Sequence, residues 1–257
     1  MSRDSHVFDA TAAQYDLWYE SPLGQAADDI EKRLMAEAAA PLMAQDTLDL
    51  GAGTGQLSLY LAAQGARVTG LDISGKMLAR ARDKAVQANL ACLFLEADAA
   101  ALPFPDGSFD VVTCLTALEF FPYPADALAE AWRVLRPGGR LVVGTIHRDS
   151  AWGEAYRAMA GEGDPIFRHA RLFGRDKLAS LLGASRPSLS EGLYLGPDAR
   201  PATLAEALRQ DDEARAQGAP PGFVVARWVK PGGRHQVGGD SADWLPSVPV
   251  PSGDGPL

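Results

Sequence analysis

The sequence contains little cysteine and no long apolar run. Two cysteines occur among 257 residues, Cys92 and Cys114. Both fall in predicted strands, so we expect small buried side chains there rather than disulfide or metal chemistry, and no metal site is predicted. The chain also lacks an apolar span of about 18 residues and a basic, apolar leader. These absences argue against membrane insertion and favour a cytoplasmic location.

Basic clusters are also absent. The formal net charge is −9, and Lys and Arg form no run. Binding of DNA or RNA through phosphate neutralisation needs such clusters, so we expect no nucleic-acid partner. The length suits one large domain with a substantial core. Composition and charge do not fix an oligomeric state.

The most informative segment is a glycine run that follows a short apolar strand. The sequence Leu48-Asp-Leu-Gly-Ala-Gly-Thr-Gly55 predicts a buried strand, a tight turn and the first residues of a helix. Glycine removes side chains where the backbone must approach a ligand, and the free N–H groups of a helix start point at whatever binds. A nucleotide-like cofactor is the first hypothesis. A turn that needs glycine for steric reasons alone is the alternative.

The spacing of these glycines separates the candidate cofactors. They fall at positions 51, 53 and 55, and Gln56 follows them. A dinucleotide site has the pattern G-x-G-x-x-G, and a phosphate-binding loop has Gly-Lys-Ser/Thr after the run; neither is present. The loop therefore suits a nucleoside ligand without a phosphate chain better than it suits NAD or ATP.

Two acids follow the next strand ends. Asp72 lies about 20 residues beyond the glycine run, which is the offset at which an acid reaches ribose hydroxyls. Its alternative role is to cap the helix that begins near Ser74, although Ser74 itself suits that role. Asp98 is placed to accept a hydrogen bond from an exocyclic amino group such as that of adenine. Taken alone, it is more often an exposed loop acid.

Together these segments resemble the class I S-adenosylmethionine (SAM)-dependent methyltransferases, especially those that act on small molecules. The resemblance covers roughly residues 44 to 146, and its motifs are specific as a set rather than singly. The matching segments, in family order, are 48–55, 68–74, 96–98 with 102–104, 109–112 and 133–141. The resemblance implies an enzyme that uses SAM as its cofactor.

The same resemblance implies which residues surround the cofactor. They are Tyr15, Asp49, Gly51, Ala52, Gly53 and Gly55 at the methionine end, Leu115 beside the sulfonium and methyl, Asp72 at the ribose, Ile73 and Met77 on the adenine faces, and Asp98 with the Ala99 N–H at the adenine edge. These assignments are expectations carried over from the family.

Strand and helix patterns alternate through the middle of the chain, with strands at 109–115 and 139–146 among those predicted. This alternation predicts a doubly wound, Rossmann-like α/β sheet, mostly parallel. Ser21, as N-cap, and Pro22 are predicted to start a helix in the N-terminal segment. The resemblance implies an antiparallel last strand. We expect a single domain at 1–230, with a helical lid at 1–43 and a helical insertion at 150–184, after the fifth strand, that caps the acceptor side. The segment 231–257 is rich in Gly, Pro and Ser and is expected to be disordered.

Aromatic side chains concentrate in the N-terminal segment and in the insertion. Most of them are expected only to pack helices against the sheet, whereas Tyr15 and Tyr19 are expected near the cofactor. Methyl transfer is an in-line displacement in which positioning and water exclusion supply much of the rate. A base is needed only if the acceptor must lose a proton.

No catalytic residue is evident from the sequence, and the candidates are Glu119, His147 and Tyr15. Glu119 follows the fourth strand, where many family members have a histidine nearby. Its three interpretations are a base, a contact to the SAM amino group, and a helix-end carboxylate. A lone histidine at a strand end, such as His147, is more often a structural hydrogen-bonding residue, and His169 has still less support.

Two absences narrow the acceptor class. Segment 115–118 lacks the Asp/Asn-Pro-Pro-aromatic turn of amino-methylating DNA enzymes, and the several cysteines of arsenic methylation are missing. A small organic acceptor remains, and the aromatic residues favour a quinone-like or phenolic ring. The alternatives are a non-catalytic SAM-binding or regulatory protein and, with less support, a nicotinamide-dependent reductase.

Overall fold

The computed structural model describes residues 5–183 and 185–232. Its strands are β1 (Asp46–Leu50), β2 (Arg67–Asp72), β3 (Cys92–Glu96), β4 (Phe109–Leu115), β5 (Leu135–Ile146), β6 (Ser188–Gly192) and β7 (Phe223–Val229). They form one sheet in the order β3-β2-β1-β4-β5-β7-β6. The pairs among β1 to β5 are parallel, whereas β7 is antiparallel to both β5 and β6. The predicted Rossmann-like α/β fold with an antiparallel last strand is confirmed.

Helices cover both faces of this sheet. They are α1 (Ser5–Tyr15), α2 (Pro22–Ala39), α3 (Gln56–Ala63), α4 (Gly75–Gln87), α5 (Pro124–Val134), α6 (Ala151–Gly161), α7 (Arg175–Ala179) and α8 (Leu204–Ala216). Short 3₁₀ turns occur at Asp16–Glu20, Leu118–Phe120 and Phe167–His169. The described helices include none that is both long and apolar enough to cross a bilayer.

Two serine caps fix where α2 and α4 begin. Ser21 Oγ accepts a hydrogen bond from the Gly24 N–H at 3.0 Å, and Pro22 follows at the first helical position. Ser74 Oγ accepts from the Met77 N–H at 3.1 Å. These side chains satisfy N–H groups that have no partner within the helix. Both starts agree with the sequence prediction.

The core has a layer on each face of the sheet. Val111 and Val142 belong to the layer that contains α2, whereas Val112 and Leu141 belong to the layer that contains α5. Neighbouring residues of β4 and β5 therefore face opposite layers, and their continuous apolar runs are typical of a parallel sheet buried on both sides. The carboxyl ends of β1 to β5 lie along one edge, where open α/β sheets bind ligands.

Some boundaries differ from the sequence prediction. β5 begins at Leu135 rather than at 139, because the Pro-Gly-Gly segment pairs with the end of β7 instead of forming a separate turn. The Gly138 N–H donates to the Lys230 carbonyl and the Lys230 N–H to the Gly139 carbonyl, each at 2.9 Å. Helix α8 was not predicted from the sequence. The predicted disordered tail lies outside the described residues from position 233 onward.

Candidate active site

A cavity of about 890 Å³ lies beyond the carboxyl ends of β1 to β5. Helices α1, α2 and α6 contribute residues to the opposite wall. Pockets for drug-sized ligands span roughly 300–1,000 Å³. This cavity is near the upper end of that range, so it has room for a nucleoside and a second small molecule.

The glycine loop after β1 forms part of the floor. Gly51 and Gly55 have φ angles of +69° and +84°, which favour glycine. A Cβ at Gly51 would also lie 2.4 Å from the Ala117 Cβ. A Cβ at Gly53 would meet nothing closer than 4.0 Å, so this glycine faces open space in the cavity. Glycine is thus required at Gly51 because a side chain would clash with Ala117, whereas Gly53 exposes its backbone to the cavity.

Gly55 and Ala52 contribute to the loop without lining the cavity. A Cβ at Gly55 would lie 3.0 Å from the Ala81 Cβ of α4, so glycine there permits close packing between the loop and that helix. Ala52 is buried in the small apolar cluster that also contains Ala81. Both residues therefore shape the loop through their packing against α4. Neither is among the residues that line the cavity, where the predicted contact with a ligand would place them.

Asp72 lies at the end of β2 and faces the cavity. Its Oδ2 accepts a hydrogen bond from the Gly53 N–H and its Oδ1 one from the Ser74 N–H, both at 2.8 Å. Burial raises the pKa of this carboxyl, and these backbone N–H groups oppose that rise. The side chain therefore joins the glycine loop to the start of α4, and each oxygen retains further accepting capacity for a ligand hydroxyl.

Asp49 lies beneath the loop and not on the cavity surface. It is 2% exposed, and it accepts hydrogen bonds from the Ser58 and Thr113 hydroxyls at 2.6 and 2.8 Å. Burial raises its pKa to about 6, against the lowering effect of these two hydroxyls. The alternation of side chains along β1 explains why Asp49 is buried there. Leu48 and Leu50 point to one face of the sheet, so Asp49, which lies between them, points to the other face.

The other predicted cofactor residues line the cavity together: Tyr15, Ile73, Met77, Asp98, Ala99 and Leu115. Asp98 Oδ1 accepts a hydrogen bond from the Ala100 N–H at 2.8 Å. This bond holds the loop after β3 in a compact turn with its polar atoms at the cavity edge. Five elements that are distant in sequence thus bring predicted residues to one rim.

The N-terminal segment is attached to the rest of the site by an ionic network that the sequence analysis missed. Asp16 Oδ1 accepts from the Thr54 hydroxyl and from Lys84 Nζ, both at 2.7 Å, and its Oδ2 accepts from Arg80 at 3.1 Å. Burial alone would raise the pKa of Asp16, but these partners lower it below its usual value. Asp9 adds a contact of 2.6 Å to the Ser74 hydroxyl.

An aromatic wall forms a further part of the cavity lining. Its ring pairs are Phe8–Phe120 at 5.7 Å, Phe120–Phe167 at 6.3 Å, Tyr156–Phe167 at 4.4 Å and Trp18–Trp152 at 6.0 Å between centroids. All six of these side chains line the cavity. The expectation that most aromatics only pack helices on the sheet therefore needs correction, because these rings pack on one another and line the cavity as well.

The other candidate catalytic residues do not line the cavity. Glu119 is fully buried; its Oε1 accepts from the Thr145 hydroxyl at 2.5 Å and the Ile146 N–H at 3.1 Å, and burial raises its pKa to about 6. His147 Nδ1 accepts a hydrogen bond from the Asp149 N–H at 3.2 Å. His169 is exposed and accepts from Arg168. All three make structural contacts.

Charged lining residues of the cavity are of one sign. Among the described residues the lining includes seven acids and no Lys, Arg or His: Asp28, Glu31, Asp72, Asp98, Glu154, Glu162 and Asp198. Asp28 and Glu31 were not singled out from the sequence. Their spacing of three along α2, next to Ala27, was the available signal for a shared helix face. A cavity of this kind favours cations and neutral molecules over anions.

Comparisons with known proteins agree with this geometry. A family model described as a methyltransferase domain matches residues 48–143. A demethylmenaquinone methyltransferase of Clavibacter sepedonicus is 33% identical over 234 residues, which cover 90% of this chain and 91% of that protein. Another, from Thermus thermophilus, is 46% identical over 139 residues, or 53% of this chain. That match spans 63% of the Thermus protein, which is less than two thirds of its length.

The fold is also found among solved structures. The crystal structure of a SAM-dependent methyltransferase from Thermotoga maritima has a TM-score of 0.67, covers 88% of this chain and 99% of its own, and is 24% identical in sequence. At this identity the likeness concerns the fold alone.

Proposed function

Because this chain belongs to the SAM-dependent methyltransferases, we propose that its cavity binds SAM and transfers the methyl group to a neutral quinone-type or phenolic ring. The relatives from Clavibacter sepedonicus and Thermus thermophilus are both named demethylmenaquinone methyltransferases, which supports this acceptor class. The observation that carries the proposal is one cavity with two surfaces. The first is the glycine loop with its acids, and the second is the aromatic wall.

The loop side of the cavity suits SAM. In the proposed placement Gly51 and Gly53 allow the methionine part to lie against the backbone, and Asp72 accepts from the ribose hydroxyls. Ile73 and Met77 cover the adenine faces, while Asp98 and the Ala99 N–H bind its edge. Leu115 and Tyr15 adjoin the reactive sulfonium. The acids of the lining favour this cationic ligand.

The aromatic wall suits a flat ring. Phe167 packs against both Phe120 and Tyr156, and these rings offer faces and edges for stacking. The absence of Lys, Arg and His from the described lining disfavours an acceptor that carries a carboxylate or phosphate. A neutral aromatic ring satisfies both features.

The reaction follows from this arrangement. Bound SAM supplies a methyl group for in-line displacement at its sulfonium. The protein's contribution is to hold the ring on the far side of the methyl group and to exclude water. Correct orientation of the reacting atoms in a dry site accelerates such a reaction strongly. The aromatic wall performs both tasks because it is apolar and because it encloses the acceptor side.

Two measurements test the proposal. Titration calorimetry is expected to detect binding of SAM and S-adenosylhomocysteine and none of NADH. With a labelled methyl group on SAM, label is expected to enter naphthohydroquinone, and more slowly the same ring system with a carboxylate on its second ring. NADH binding in place of SAM would refute the cofactor. Equal or faster transfer to the carboxylate compound would refute the acceptor class, whereas tight SAM binding without transfer to any ring would favour a non-catalytic SAM-binding protein.

A further inference from the structure

Glu31 is a carboxyl group in the cavity without a protein partner. Helix α2 presents Ala27, Asp28 and Glu31 to the cavity. Asp28 forms an ion pair with Lys32 one turn along the helix. No hydrogen bond or ion pair reaches the Glu31 side chain from the rest of the described residues. Its carboxyl therefore has capacity for a ligand, and Asp28, its neighbour on the same helix, has a cation beside it.

The surroundings of Glu31 disfavour its charge when the cavity is empty. The charges that change the pKa of Glu31 are those of Asp28 and Lys32 on the same helix and that of Glu119 in the 3₁₀ turn after β4. Burial, together with the charges of Asp28 and Glu119, raises the pKa of Glu31 to about 8, and Lys32 only partly opposes this rise. At neutral pH the empty cavity therefore contains mostly the protonated acid.

Three tyrosines from other elements complete these surroundings. Tyr15 and Tyr19 approach from the N-terminal segment and Tyr156 from α6, and all three line the cavity. Burial raises the pKa of each of these phenols above its usual value, so they stay neutral. The titratable groups left in this part of the cavity are the carboxyls of Glu31 and of Asp28, whose pKa burial also raises while Lys32 opposes that rise.

We propose that Glu31 is the proton acceptor of methyl transfer, in a mechanism that rests on the proposed function. The acceptor atom, a ring carbon or a phenolic oxygen, forms a bond to the methyl group. The S–CH₃ bond breaks, and its electron pair goes to sulfur. The hydrogen on the acceptor atom leaves as a proton and binds to the Glu31 carboxylate, which later releases it to solvent. One proton is lost in either case, so the balance is the same for carbon and oxygen.

The cofactor's own charge prepares Glu31 for this role. A cation in the cavity stabilises the carboxylate form and lowers the pKa of Glu31, because an opposite charge favours ionisation. Binding of SAM therefore releases a proton and generates the base only when the methyl donor is present. S-adenosylhomocysteine, whose sulfur is neutral, has a weaker effect.

Other acids of the lining are less suited to the task. Asp72 and Asp98 already accept hydrogen bonds from backbone N–H groups beside the glycine loop and after β3. Glu154, Glu162 and Asp198 are exposed to solvent at the rim of the cavity. Among the described acids of the lining, Glu31 alone combines a partner-free carboxyl with a side chain that is not exposed to solvent.

The first test is independent of the acceptor. Calorimetric titration of SAM in buffers of different ionisation enthalpy, at about pH 7, measures the protons released on binding. The wild type and E37Q, an exposed glutamate on the same helix, are expected to release protons with SAM and fewer with S-adenosylhomocysteine. E31Q is expected to bind SAM and release fewer protons than the wild type. Equal release by the wild type and E31Q would overturn the proposal.

The second test measures methyl transfer to naphthohydroquinone at saturating SAM across the pH range. General bases contribute about 10²–10⁴-fold to a rate, so the rate of methyl transfer by E31Q is expected to fall by a factor in this range. The decrease of the rate at acidic pH, which reports protonation of the base, is expected to disappear in E31Q. D28N, which removes a neighbouring negative charge, is expected to move that decrease to lower pH, while E37Q keeps the wild-type profile. Wild-type rates in E31Q would overturn the role of Glu31.

The two tests separate this inference from the proposed function. If the wild type transfers no label to naphthohydroquinone, the acceptor class is wrong, and the proton release on SAM binding still decides whether Glu31 ionises beside the cofactor. If the wild type transfers label but shows no proton release that depends on Glu31, the acceptor class stands and the proposed proton acceptor is wrong.

Discussion

At the residue scale, one carboxylate has a structural role beside its proposed role in ligand binding. Asp72 holds the Gly53 N–H and the Ser74 N–H, so it fixes the glycine loop relative to the start of α4. From the sequence, helix capping and ligand binding were alternative roles for Asp72. The geometry makes them compatible, because a carboxylate accepts about four hydrogen bonds and the backbone uses two.

This dual role makes a specific prediction for Asp72→Ala. Loss of hydrogen bonds to a charged group costs roughly 1.5–3 kcal/mol, so SAM affinity is expected to fall about 10- to 150-fold. Asp72→Asn keeps an acceptor oxygen and is expected to lose less. Calorimetry measures both affinities, and thermal unfolding of the unliganded variants shows whether the loop survives. Wild-type affinity in a folded Asp72→Ala protein would remove Asp72 from the proposed site.

At the element scale, the N-terminal segment is fastened to the Rossmann-like core by a few polar contacts. The 3₁₀ turn Asp16–Glu20 follows α1, and Asp16 reaches Thr54, Arg80 and Lys84 across the glycine loop and α4. Because Tyr15 and Tyr19 flank this contact and line the cavity, its strength controls how firmly the segment covers the proposed SAM site.

We therefore predict that Asp16→Asn loosens the segment without unfolding the core. Part-buried hydrogen bonds to a charged group contribute roughly 1.5–3 kcal/mol, which corresponds to about a 10- to 150-fold faster amide exchange in α1 if opening is local. Hydrogen exchange measured by mass spectrometry tests this, and SAM is expected to dissociate faster. Asp149→Asn, which removes an exposed pair with Arg148, is the matched control. Equal protection of α1 in wild type and Asp16→Asn would contradict the prediction.

The elements also show what the sequence could and could not reveal. Strand limits such as 109–115 and the Ser21 and Ser74 caps were predictable because the signals are local. Asp49 was assigned to the cofactor from the family resemblance alone, although strand alternation already points it away from the face of Leu48 and Leu50. Glu31 could not be found in this way, since its placement depends on how α2 docks over the sheet.

At the scale of the whole molecule, the buried carboxyls make stability depend on pH. Burial raises the pKa of Asp49 and of Glu119 to about 6, and that of Glu31 to about 8 when the charges of Asp28 and Glu119 are included. In each case the folded state binds a proton more tightly than the unfolded chain. Their contribution to stability is therefore full at acidic pH and is lost as pH rises through these folded-state values.

We predict that the free energy of unfolding of the unliganded protein declines between about pH 5 and pH 8. For a domain of this size each kcal/mol lost lowers the unfolding temperature by roughly 2–4 °C. His147, whose pKa burial lowers, opposes the decline near pH 6, so the decisive quantity is the difference between wild type and E31Q. E31Q is expected to flatten the curve above about pH 6, and E37Q to leave it unchanged. Parallel curves for wild type and E31Q would show that Glu31 titrates normally, because only a raised pKa produces proton uptake on folding in this window.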